Sequence, residues 1–384
     1  MKTAFPISFL VTTPEGTVPL DPERARVPLP AGPDGTNPSI HYGPYFEALL
    51  RFLSRESFRP LLDSLTERLG REAALNSIRD LEIISEKHGA LYHVAHLRTR
   101  LEDETCELAL NSAVTPGQKA AMAAELATLS ELRDRFGLPY LPRQYRHGEA
   151  FYEEHPGGER RTLSLFLAEW FDGYHEFHLT RLPGSPSPRL RIWAPGNEQQ
   201  VLSSEEARAL YAEASHILTS YLDPSDFRQI YPWHHAAGDF IVRRRGGPLD
   251  VRMVTARGYK TLPSLGAGFD EKWIGPVHFL LNATIRMRLD RYDGTGDPAW
   301  AESDCIEAVI SGFLTAWEVK AGSCSSVPSS GEMLEVLRSF TSEDWLALTE
   351  IVLEDGAVEE DEIPFLLPRM REHASSLAAA LARC

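Results

Sequence analysis

The chain has 384 residues, 39 of them Lys or Arg and 55 Asp or Glu, for a net charge of −16, and 43% are apolar. That length predicts two or three lobes with a core large enough to need no disulfide or metal staple. The acidic balance argues against general binding to nucleic acid or to an anionic membrane surface, both of which select basic patches.

The N-terminus has a short apolar stretch broken by Pro6 and lacks the long apolar core of a signal peptide. Nowhere does a run approach the ~18 apolar residues of a membrane span. The four cysteines, Cys106, Cys305, Cys324 and Cys384, are far apart and form no C-x-x-C pair. Reduced thiols in a cytoplasmic protein are the expectation.

Residues 5–12 alternate apolar and polar and predict a strand before the turn at Pro14 and Gly16. Residues 21–44 are rich in Pro, Gly and Asn and predict a surface loop. A helical pattern follows from Tyr45 to Leu69, with Gly70 as its stop. Three strand-like segments come next. One leads through Leu81, Ile83 and Ile84 to Glu86-Lys87-His88-Gly89, one alternates through Leu91, His93, Ala95 and Leu97, and one spans Glu107–Val114. Short turns between them predict an antiparallel meander. A helix from Pro116 to Phe136 ends at Gly137, and strands near 140–147 and 161–170 follow.

Pro183, Pro186, Pro188 and Pro195 place a loop near a lobe boundary. Ser203 and Glu206 have capping-box spacing and open a helix to about Tyr221. Tyr231–Val242 reads as a loop feeding a strand. A turn at Gly246-Gly247-Pro248 leads to a second strand from Asp250. The remainder reads as helices at about 276–292, 299–320, 331–339, 343–354 and 363–383. Arg286 and Asp290, four apart, read as a salt bridge on a helix face.

This order, with the segments Leu165–Gly173 and His234–Val242, resembles the protein-kinase-like fold, and within it the aminoglycoside and choline phosphotransferase group. The resemblance covers residues 78–320. It implies an α+β, two-lobed protein-kinase-like fold, with a small antiparallel-sheet N-lobe bearing one helix and a larger, mainly helical C-lobe. The implied division is an extension at 1–77, the N-lobe and hinge at 78–180 and the C-lobe at 181–384. Glu169, Trp170 and Phe171 would form the hinge that holds a nucleotide, and Gly89 the remnant of the glycine-rich loop. Read from the residues themselves, Arg257 with Lys260 is either an anion-holding cofactor contact or a pair of surface salt bridges. ATP and Mg2+ are the implied cofactors, bound in a crevice between the lobes.

Where that group has a catalytic Asp, this chain has His234. Where it has a metal-binding Asn, this chain has Asp239. The second metal-binding Asp falls at Ala256, and the nucleotide-binding Lys at Asn111. Phosphoryl transfer depends on cations bridging the phosphates and on a residue that orients the nucleophile. One magnesium carboxylate, Asp239, remains. The sequence therefore predicts a pseudokinase-like protein that binds a nucleotide or small ligand, or scaffolds an unidentified protein partner. The alternative is an atypical phospho- or nucleotidyl-transferase with His234 as base and Asp239 as metal ligand. For both residues the competing reading is a set of hydrogen bonds that fixes the loop. His175 and His178 read either as ligand contacts or as cover for the hinge. Asp293–Asp297 only hints at calcium, because it lacks the later Glu of an EF-hand.

Overall fold

The computed structural model describes residues 5–13, 16–30, 40–88, 92–155, 157–185, 187–194, 200–244, 246–261, 271–324, 327–354 and 361–384. The protein is mixed α+β, and its chain divides into two compact units. The first comprises residues 1–131 and 142–172, the second residues 132–141 and 173–384. Among the described residues no helix is long and apolar enough to cross a membrane.

The first unit opens with β1 (Ile7–Thr13) and β2 (Gly16–Pro19), followed by α1 (Tyr42–Leu53) and α2 (Arg55–Leu69). The expected single helix over 45–69 is thus two. Glu56, Ser57 and Phe58 all have positive φ, at 45°, 61° and 68°, and break it. Pro60, which cannot continue an uninterrupted hydrogen-bond ladder, sits just beyond.

The meander follows as β3 (Ile78–His88), β4 (His93–Leu101) and β5 (Thr105–Ala113). Then come α3 (Pro116–Phe136), β6 (Gln144–Glu153) and β7 (Arg160–Glu169). The strands form one seven-stranded sheet in the order β2-β1-β3-β4-β5-β7-β6. β7 lies between β5 and β6, with Leu110 opposite Leu167 and Ala150 opposite Leu163. β1 pairs with β3 in parallel, Ile7 opposite Leu81, so β1, α1 and α2 share this unit's sheet and core.

Both faces of the sheet are covered, which explains why Leu108–Ala113 is buried at every position, Asn111 and Ser112 included. Leu108 and Leu110 enter the core built with α1 and α2, beside Tyr45, Leu49 and Leu61. Ala109 and Ala113 face the other way, onto Met122 of α3, Tyr92 and Phe166. Each fully buried leucine is worth roughly 1.5–3 kcal/mol relative to exposure.

In the second unit, β8 (Phe177–Thr180), β9 (Arg189–Ile192) and β10 (Gln200–Val201) form a sheet where the prolines predicted only a loop. α4 (Ser204–Tyr221) starts with the expected capping box at Ser203 and Glu206. β11 (Arg228–Ile230) precedes a single 3-10 turn at His235–Ala237. β12 (Phe240–Arg243) pairs with β13 (Asp250–Met253), and β14 (Tyr259–Thr261) returns to β11.

α5 (Glu271–Arg288) stops short of the predicted end, and Leu289 starts β15 (Leu289–Arg291), which pairs with β16 (Pro298–Trp300). The unit closes with α6 (Asp304–Ser323), α7 (Ser330–Ser339), α8 (Ser342–Glu354), α9 (Ile363–Leu366) and α10 (Met370–Arg383). Trp233, Phe240, Phe313, Trp317 and Trp345 are fully buried in it.

Candidate functional site

The segment from Tyr231 to Phe240 is built as a tight loop. The Tyr231–Pro232 peptide is cis, the 3-10 turn follows, and Gly238 closes it with φ at 75°. That conformation favours glycine. A Cβ on Gly238 would collide with the Glu176 carboxylate. Phe240 then enters β12 fully buried and anchors the loop's exit.

The loop brings three of the predicted residues together. Asp239 is 2% exposed. Its Oδ2 accepts the His234 backbone N–H at 2.7 Å, and its Oδ1 accepts Arg257 Nη2 at 2.5 Å. Burial pushes the Asp239 carboxyl above the usual carboxylate range, against the pull of the Arg257 guanidinium. A carboxylate this buried needs its counter-charge, and Arg257 supplies it.

Both ring nitrogens of His234 are also engaged. Nδ1 accepts the Ala236 N–H at 3.1 Å, and Nε2 donates to Glu362 Oε1 at 2.9 Å. The first bond assigns the tautomer, because an acceptor nitrogen carries no proton. To act as a general base through Nε2, this imidazole would have to give up its proton-donating bond to Glu362. Through Nδ1 it would have to leave the loop backbone.

The other predicted residues lie elsewhere. Glu169 ends β7 in the first unit, where its backbone N–H donates to Arg143 O at 2.8 Å and its carboxylate faces Arg68 Nη1 at 3.7 Å. Trp170 stacks on His96, centroids 4.1 Å apart and planes 8° from parallel. Phe171 follows, half-buried. Gly89 falls outside the described residues. Asn111, at the position where the resemblance implied a lysine, is 8% exposed on β5. Nearby, Tyr92 OH donates to the buried Glu125 of α3.

Sequence reasoning missed the partners that set this loop's chemistry. Glu362 is 128 positions from His234 and has no local signature. Asp290 was read as a helix-surface partner of Arg286. It is fully buried in β15, where it accepts the Leu179 N–H at 2.6 Å and faces His178 Nδ1 at 3.2 Å. Arg286 turns instead to Trp233 O at 2.9 Å. The helix-face reading failed because the helical period ends at Arg288, two residues before the aspartate.

His178 is held between Asp290 and Glu176, the latter at 3.8 Å. Burial works against its charged form, but the two carboxylates win and raise it to about 9. His235, next to His234, lies parallel to Phe177 with centroids 5.8 Å apart. Neither of its ring nitrogens makes a well-formed hydrogen bond, and burial lowers it to about 4. Among the described residues no cluster of three His, Cys, Asp or Glu side chains is arranged to hold a metal ion.

No protein-family model matches the chain, and no curated protein matches its sequence.

Proposed function

We propose that the protein is a catalytically degenerate, kinase-like protein that binds a nucleotide or small ligand, or scaffolds a partner, without transferring phosphate. The observation that carries this reading is the state of Asp239. Both carboxylate oxygens are satisfied from within the chain, by the His234 amide and by the Arg257 guanidinium. Magnesium sites use one or two carboxylates with room for several waters. Here a cationic side chain already neutralises the carboxylate.

Two further observations support the reading. The sheet order places β7 beside β5 after an intervening helix, an arrangement compatible with the N-lobe of the resemblance. The counter-reading, an atypical transferase using His234, needs a proton acceptor at a nitrogen already bonded to Glu362 or to Ala236.

Thermal unfolding followed with ATP, ADP and GTP, each with and without magnesium, tests binding, since a ligand of the native state raises the melting temperature with its concentration. At least one nucleotide is expected to do so. Incubation with γ-labelled ATP and a metabolite extract should then leave no labelled product. Labelled product formed by the wild type and lost in His234→Ala would establish the transferase instead.

A further inference from the structure

Arg257 uses one nitrogen, Nη2, on Asp239. Its Nε is buried and donates to no acceptor among the described residues. A buried donor without a partner is costly, so this N–H is poised for an acceptor that the described residues do not provide.

A second cation stands three residues on. Lys260 is exposed and meets no carboxylate among the described residues. Its Nζ lies 4.9 Å from the centroid of the Tyr231 ring. Arg286 Cζ approaches the same ring at 5.8 Å. The glycine between Arg257 and Lys260 holds their backbone against Tyr231. Gly258 O accepts the Tyr231 N–H at 3.0 Å, and a Cβ on Gly258 would come within 2.7 Å of Tyr231 O. The loop's own carboxylate, Asp239, is already engaged by Arg257.

We infer that Arg257 and Lys260 form an anion-binding pair that takes the phosphate group of a small ligand directly, with the guanidinium in the role a divalent cation would otherwise fill. This rests on the ligand-binding reading above and names the chemistry of that binding. A planar guanidinium held by a carboxylate on one side presents its remaining N–H groups in a fixed fork suited to phosphate oxygens. A metal ion brought to Asp239 would have to displace Arg257 and would meet its charge.

The test is calorimetric titration of the full chain with ATP, ADP and pyrophosphate, in excess EDTA and in magnesium. The inference expects dissociation constants within about twofold between the two buffers, at least tenfold weaker binding in Arg257→Gln, and weaker binding in Lys260→Gln. Because Arg257→Gln leaves Asp239 buried without its counter-charge, the pair Asp239→Asn with Arg257→Gln is measured beside it, and the EDTA comparison needs no variant. Binding that appears only with magnesium, or that is unchanged in both Gln variants, overturns the inference and leaves the ligand-binding reading standing. If none of the three ligands binds the wild type in either buffer, the ligand-binding reading itself falls, and the inference with it.

Discussion

At Glu56, Ser57 and Phe58 three successive side-chain-bearing residues occupy the left-handed region. Each such residue costs about 1–2 kcal/mol relative to its ordinary conformation. Packing offsets that cost at Phe58, which is buried and lies 5.0 Å from the Phe5 ring. Ser57 is exposed and packs nothing. Glycine reaches φ of 61° without a Cβ clash, so Ser57→Gly should stabilise the first unit by about 0.5–1 kcal/mol. Urea denaturation followed by far-UV circular dichroism would read it, and a midpoint at or below wild type would refute it. None of this could be read from Arg55-Glu56-Ser57-Phe58, where every residue permits a helix. The turn exists because Phe58 and the helices on either side have separate places in the core.

The pairing of α4 with α6 depends on one glycine. Gly312 lies where α6 crosses α4, and a Cβ there would overlap the Ala212 carbonyl and crowd the His216 N–H. These are backbone atoms of a helix and cannot move alone. Ser215 Oγ donates to Val309 O at 2.8 Å across the same contact. In an isolated helix Gly→Ala gains about 1 kcal/mol. Here the sign reverses, because the two helices must separate or shift. Gly312→Ala should destabilise the second unit by at least ~2 kcal/mol, as overpacking does. A melting temperature equal to or above wild type would show that the helices part freely.

Across the second unit, buried histidines set the response to pH in two opposed directions. His235 is lowered to about 4 and His373 to about 3, both by burial, with Arg288 Nη1 facing His373 Nδ1 at 3.2 Å. In the unfolded chain both take up protons near 6.5. Their contribution to stability is therefore present above 6.5 and lost as the pH falls toward 4 and 3. His178 has the opposite sign. Raised to about 9, it stabilises fully below 6.5, and that contribution is lost as the pH rises through 9. Urea midpoints of the whole protein should thus peak near pH 6.5. His178→Gln should flatten the alkaline side and His235→Phe the acid side. A wild-type profile flat from pH 5 to 9 would count against these assignments.

The sequence by itself determined the elements whose signals are local. The middle strand of the meander shows the period of two through His93, Ala95 and Leu97, α3 has its helical composition and Gly137 stop, and α4 has the capping box at Ser203 and Glu206. It also marked His234 and Asp239, which break a pattern that a transferase would keep, and Arg257 as a cofactor contact. Tertiary structure alone decided what those residues do. The guanidinium on Asp239 crosses 18 positions, and the carboxylate on His234 crosses 128. Asp290 changed from a surface partner of Arg286 to a buried acceptor when the helix ended at Arg288. The physical reason is the same in each case. Period and composition report which way a side chain points, whereas a charge in the interior is defined by the distant group that neutralises it.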